Sequence, residues 1–157
     1  MAPLSRVPPA AWSRRSNFDA WEGNLVLTGD PVHGGLRLGG LIDGERAFFG
    51  DPLAELVGLD PLGTPEDDPD LMAGCRGIAP GLRTDTAGAR ARLALYRIYL
   101  ALVMRVEGAP RGYAPEHTDW LLSWSAGRIE EQLAVLDGLP GLDTPRGPGP
   151  GAAAADG

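Results

Sequence analysis

Lysine is absent from this chain: all 14 basic residues are arginine. Lysine is the usual point-charge anchor for nucleotide phosphates, and arginine's planar fork does not substitute for it freely. A lysine-anchored phosphate site within this sequence is therefore excluded. Cysteine is nearly absent as well. The single Cys75 rules out an intramolecular disulfide, and a zinc cluster would need His and carboxylate ligands at spacings not found here, so a reducing cytoplasm fits. Long hydrophobic runs are missing too. In the most apolar stretch, LALYRIYLALVMRV, Arg97 and Arg105 leave seven uncharged residues between them, against the roughly 20 that a membrane span needs. Arg14-Arg15 faintly suggests a twin-arginine export signal, but DAWEGN follows where a hydrophobic segment should, which disfavours export. Positive charge is in deficit: 21 acidic residues against 14 basic ones give a net charge of -7, a field that repels nucleic acid and anionic membranes.

What is present suits one domain. The chain has 157 residues and a hydrophobic fraction of 43%, enough for one modest core. The 23 Gly and 15 Pro imply many turns and unstructured ends. Residues 1–16 show no period of two or 3.6 and read as a disordered leader, residues 17–138 as the folded domain, and residues 139–157 as a disordered tail. NLVL, TGDPVHGG and LRLGGLID predict a hairpin from Asn24 to Asp43, whose antiparallel strands would bring those two polar ends together. Asp51 is set to cap a short helix with Pro52 as its first residue and Leu53, Leu56 and Val57 on its apolar face. Residues 61–82 are rich in Pro, Gly and Asp, with PEDDPD a solvated loop or helix start. Thr86 to Val106 predicts a long, central buried helix through Leu93, Tyr96, Leu100 and Val103. Pro115 to Leu136 predicts another, with Trp120, Trp124, Ile129, Leu133 and Leu136 on one face, ended by Gly138 and Pro140.

The chemistry is carried by NFDAWEGN and the acid that follows the hairpin. Phosphoryl transfer from ATP needs a carboxylate to orient the acceptor hydroxyl and oxygen ligands that hold magnesium against the phosphates. Asp19 can supply the first, and Asn24 with Asp43 the second. Kinase-like catalytic loops run H-x-D-x-x-x-x-N, then a hairpin, then the metal-binding Asp. The segment FDAWEGNLVL followed by GGLIDGERAFFGDPLAEL resembles the aminoglycoside phosphotransferase and fructosamine kinase superfamily, whose members read HGDLWxGN and then IDxxRxxxGDPxxDLA. The resemblance covers residues 17–59. It implies a mainly α fold with a small β-hairpin, the C-terminal lobe of a protein-kinase-like enzyme. It further implies an ATP- and magnesium-dependent transfer of phosphate to a hydroxyl of a small molecule of aminoglycoside or sugar type. On this resemblance Asp19 is the catalytic aspartate, Asn24 and Asp43 are the magnesium ligands, and Arg46, Gly50, Asp51, Pro52 and Glu55 have structural roles.

The departures point the other way. Asn17 stands where the family has His, and Ala20 where it has a larger apolar residue, which should loosen the loop. No glycine-rich strand pair, anchoring Lys or partner Glu precedes Asn17. The N-terminal nucleotide lobe is thus expected to be missing, with the chain a truncated or frame-shifted reading of a longer gene and a separately encoded N-terminal lobe as an implied partner. Alone it should turn over poorly or not at all. The rival expectation is a non-catalytic remnant or binding module; a third is an acidic interaction protein whose motif match is accidental. Read as isolated features, the acidic run Glu66, Asp67, Asp68, Asp70 is a solvated surface, Trp120 and Trp124 belong to the core, and His33 and His117 are poor catalytic candidates.

Overall fold

Aspartate and proline together start two of the four α-helices, where their local chemistry favours it. In the computed structural model, which describes residues 14–141, helix α1 (Pro52–Leu59) begins with Asp51 accepting from the Leu53 amide at 3.1 Å. Helix α2 (Pro69–Ile78) repeats the device, Asp68 accepting from the amides of Asp70 and Leu71 at 2.9 and 3.0 Å. In both, the proline occupies the first position, where its missing N–H is not needed. Helix α3 (Ala87–Arg111) is capped by Thr86, whose hydroxyl accepts from the Ala89 amide at 3.1 Å. Helix α4 (Pro115–Asp137) follows after a three-residue connection in which Gly112 adopts φ 62°, a left-handed backbone that glycine enters at little cost. So short a link returns α4 antiparallel along α3. Arg105 fastens the pair by donating to the Leu122 carbonyl at 3.0 Å and the Ser125 hydroxyl at 3.2 Å.

The expected hairpin is present as β2 (Leu25–Thr28) and β3 (Arg37–Leu41), paired Leu25 with Leu41 and Thr28 with Arg37 across an irregularity between Val26 and Leu27. A second antiparallel pair was not expected: Arg14–Ser16 forms β1, which joins β4 (Phe48–Gly50) in the register Ser16 to Phe48. The disordered-leader expectation therefore fails for residues 14–16. Their pairing partner lies more than thirty residues away, and such a contact leaves no period in the sequence. Residues 1–13 and 142–157, the rest of the expected leader and most of the expected tail, lie outside the described residues.

The core gathers Phe18, Leu53, Leu56, Val57, Met72, Leu93 and Leu100, each 2% exposed or less. It lies between the loop after β1, α1, α2 and one face of α3. Each such burial is worth about 1.5–3 kcal/mol, which fixes the loop bearing Phe18 against α1 and α3. The hairpin lies outside this core, with Leu27 and Leu38 more than half exposed.

Three helix expectations are corrected. Helix α3 is not buried all round, since Leu95, Tyr99, Leu102 and Val106 are largely exposed while Leu93, Arg97 and Leu100 are buried. It also runs five residues past Val106, through Pro110, because Glu107 and Arg111 in its last turns are tied by ion pairs to Arg46 and Glu45. On α4 the buried line is Leu121, Ser125 and Gln132, leaving Trp120 45% and Leu133 49% exposed. Against this face α3 sets Gly108, which lies beside Thr118, and Arg105, which bonds Leu122 and Ser125.

Candidate functional site

The site begins with a carboxylate that faces backbone. Glu55, one turn into α1, accepts from the Ser16 hydroxyl, the Asn17 amide at 2.6 Å and the Phe18 amide at 3.3 Å. These charge-assisted bonds hold the segment entering Asp19. Phe18 itself sits at φ 56°, a left-handed conformation that costs a bulky residue roughly 1–2 kcal/mol. Its ring offsets that by burial and by edge-on contacts with Phe48 and Tyr96 at 5.8 and 6.2 Å. On the other side, Gly58 lies so close that a Cβ there would stand 2.6 Å from the Phe18 carbonyl carbon and 2.9 Å from the Asp19 nitrogen. Strand, carboxylate and glycine together aim Asp19 away from the core.

Asn24 is 8% exposed and donates from Nδ2 to the Asp19 carbonyl at 2.8 Å, which directs its amide oxygen elsewhere. The Ile42 amide donates to the Asn24 carbonyl at 3.0 Å, so the hairpin closes between the two polar ends as its antiparallel pairing requires. Asp43 follows in the left-handed region at φ 56°, ψ 55°, opening a single turn of 3-10 helix over Gly44–Arg46. Asp19, Asn24 and Asp43 line one cavity of about 730 Å³, within the range of small-molecule sites. The three predicted residues are brought together.

Arg46 is the hub of the electrostatics. It donates to the Asp19 carboxylate at 3.3 Å and to Glu107, which pairs in turn with Arg111 at 3.4 Å. Burial raises the Asp19 carboxyl from its ordinary value; Arg46 opposes this, the negative charges of Asp43 and Glu107 add to it, and Asn24 opposes it. Among the described residues no three His, Cys, Asp or Glu side chains form a metal-holding group. Asn24 and Asp43 are an amide and a carboxylate oxygen on one cavity wall, a donor pair of the kind magnesium accepts when phosphates and water complete its shell.

Set beside known proteins, the chain matches no family model, no curated protein and no solved structure. What it does must be read from the site itself.

Other expectations resolve residue by residue. Arg46 is an ion-pair partner as expected, but inside the cavity. Asp51 caps α1 and also pairs with Arg92 at 2.9 Å. Asn17 is 7% exposed and leaves its Nδ2 donor without a partner, a burial that costs about 1–3 kcal/mol. Glu66 of the acidic run is not merely solvated, since it pairs with the buried Arg97. His33 bonds Asp30 at 2.6 Å on an exposed turn. Sequence reasoning missed Glu107, Tyr113, His117 and Trp120, which line the cavity from α3, the α3–α4 connection and α4. Trp120 is not core: its ring stacks with His117 at 5.6 Å and with Trp124 at 6.1 Å. The helical spacing of Tyr113, His117, Trp120 and Trp124 was the available signal, though it reads equally well as a core stripe.

Proposed function

We propose that this chain is the acceptor-side half of a phosphotransferase, a C-terminal lobe of the aminoglycoside phosphotransferase and fructosamine kinase type. It would transfer phosphate from ATP to a hydroxyl of a small molecule. The observation that carries the reading is the convergence of Asp19, Asn24 and Asp43 on one cavity. Asp19 accepts the hydrogen bond, and then the proton, of the acceptor hydroxyl, whose oxygen bonds to the terminal phosphorus as the bond to ADP breaks. Its carboxyl, raised by burial, is a better base than a solvated aspartate, and Arg46 orients it. Asn24 and Asp43 would hold magnesium, which when bound supplies charge neutralisation on the phosphates. The strained Phe18 and Asp43 backbones flank the same chemistry, where such outliers concentrate.

A nucleotide lobe packed against it fits the hairpin. Val26, Leu27, Leu38, Leu41 and Ile42 are between 42% and 64% exposed, and a two-stranded ribbon with uncovered apolar faces is marginal by itself. The second reading, a non-catalytic remnant, is favoured by the orphaned Asn17 amide and the missing lysine.

Calorimetry with magnesium-ATP separates the two. Binding by the chain, alone or with a lobe encoded upstream, that disappears in Asp43→Ala supports the phosphotransferase. No heat in either format leaves the remnant. ATP consumption over a panel of amino sugars and sugars tests the chemistry, and turnover unchanged in Asp19→Ala would remove that residue's role.

A further inference from the structure

Helix α3 buries one side and leaves another bare. Leu95, Tyr99, Leu102 and Val106 are 54%, 56%, 47% and 66% exposed. Their spacing of four, three and four residues is the heptad spacing, so they form one seam along the outer side of the helix. Leu93 and Leu100 face the core from the opposite side, and Arg105 and Gly108 turn toward α4. No charged residue falls within the seam. The arginines beside it are engaged elsewhere, Arg92 with Asp51 at 2.9 Å and Arg105 with the Leu122 carbonyl at 3.0 Å. An apolar groove of about 630 Å³ runs alongside, between α3 and β4, and Leu95 and Tyr99 belong to both groove and seam.

Such a face suits a helix laid along it, and its own residues indicate which. A surface that meets a second copy of itself about a twofold axis must be self-complementary, each residue opposing the one equally far on the other side of the axis. Read from its two ends the seam has the same profile: Ala91, Leu95 and Tyr99 from one, Ala109, Val106 and Leu102 from the other. An axis midway between Tyr99 and Leu102 sets Leu95 against Val106 of the second copy and Tyr99 against its Leu102, with small residues at both ends. An unrelated partner imposes no such symmetry. The chain's net charge of -7 is not carried by this helix, which holds five arginines and one glutamate. At the exposures given, the seam with its flanking Ile98 and Val103 presents on the order of 600 Å² per copy, the upper end of what a monomer leaves bare. Two copies would bury on the order of 1,200 Å², the lower limit of a specific interface.

We propose that this chain pairs with a second copy of itself through α3, the two helices running antiparallel about a twofold axis between Tyr99 and Leu102. The pairing stands on α3 alone and does not require the phosphotransferase reading, and it uses none of the hairpin residues that a nucleotide lobe would cover. It also covers Tyr99, whose ring lies 5.6 Å from that of Phe18, so the dimer closes the open side of the groove behind the Asp19 loop.

Sedimentation equilibrium of the full chain, from about 5 to 500 µM, should show a reversible monomer–dimer equilibrium, as an interface at the small end of the specific range gives. Leu102→Glu and Val106→Glu should each weaken the dimer by roughly tenfold or more, because pairing would bury an unpaired carboxylate. Both should keep their helical circular dichroism, since the side chains they replace already lie in solvent. A spin label at Arg90→Cys, in a Cys75→Ser background, reports the orientation. The rise per residue and the usual helix spacing give roughly 40 Å between labels for the antiparallel pair and about 25 Å for a parallel one. A monomer throughout the concentration range, a dimer that tolerates both glutamates, or the shorter distance overturns the proposal. A monomer that instead binds a nucleotide lobe through this face, in a complex broken by Leu102→Glu, also overturns it and assigns the seam to the lobe.

Discussion

Asp19 is held at a cost to the fold. Burial raises its carboxyl above the reference value of 3.8, and Asp43 and Glu107 push in the same direction. A carboxyl whose pKa rises on folding contributes stability that is fully present below the unfolded value and lost as pH climbs through the folded one. Once ionised, the group therefore opposes folding. Asp19→Asn, which mimics the protonated form, should raise the melting temperature at pH 7, with the gain shrinking to nothing near pH 3.8; a lower melting temperature at pH 7 would show that the Arg46 pair outweighs burial. The same exchange should abolish any phosphate transfer, the usual opposition of stability and activity at a built site. Gly58 is the second residue whose identity is dictated by its neighbour. A methyl there would enter the Phe18 and Asp19 backbone at 2.6–2.9 Å. Gly58→Ala should destabilise by about 1–3 kcal/mol despite alanine's better helix propensity, measured by urea unfolding, and a neutral or stabilising result would mean that the loop yields.

At the scale of elements, α1 is the part on which the site depends. One face carries Leu53, Leu56 and Val57 into the core, its first turn carries Glu55 to the loop backbone, and its cap carries Asp51 to Arg92 of α3. Two substitutions separate the roles of Asp51. Asp51→Asn keeps a side-chain oxygen for the cap and loses the ion pair, while Asp51→Ala loses both. Alanine should cost about 0.5–2 kcal/mol more than asparagine, the worth of an N-cap, in thermal or urea unfolding; equal losses would mean that the cap adds nothing. The motif GDPLAEL could be read as a capped helix from its letters alone, since capping is local chemistry. That Glu55 would turn back onto Ser16, Asn17 and Phe18 could not, because those residues lie nearly forty positions away. The hairpin followed the same division. Its turn and alternation were legible, and its ends met, but β1 pairing with β4 was not, since three residues are too few to show a period.

For the whole molecule, one core joins α1, α2, α3 and the loop of Phe18, so loss of packing anywhere in it should reach Asp19. Leu93 is 2% exposed within that cluster. Leu93→Ala should cost about 2–5 kcal/mol, and because the same core seats Phe18 it should also weaken magnesium-ATP or acceptor binding. Unfolding at lower urea with undiminished binding would show that the site stands apart from the core. No helix among the described residues is long and apolar enough to cross a membrane. The exposed apolar hairpin, with Leu38 at 64%, is the face that the proposed nucleotide lobe would cover.

By itself the sequence determined what is local. Prolines, aspartates and Thr86 set the helix starts, Gly138 the end of α4, and the alternation of NLVL and LRLGGL set the hairpin that carries Asn24 and Asp43. Only the tertiary structure decided which helix faces turn inward, that α3 would run on to deliver Glu107, and that Trp120 would leave the core for a cavity wall. Capping and turn preferences act over a few residues and are written in them. The choice of an inward face depends on what the opposing element offers, and that is settled only when distant segments meet.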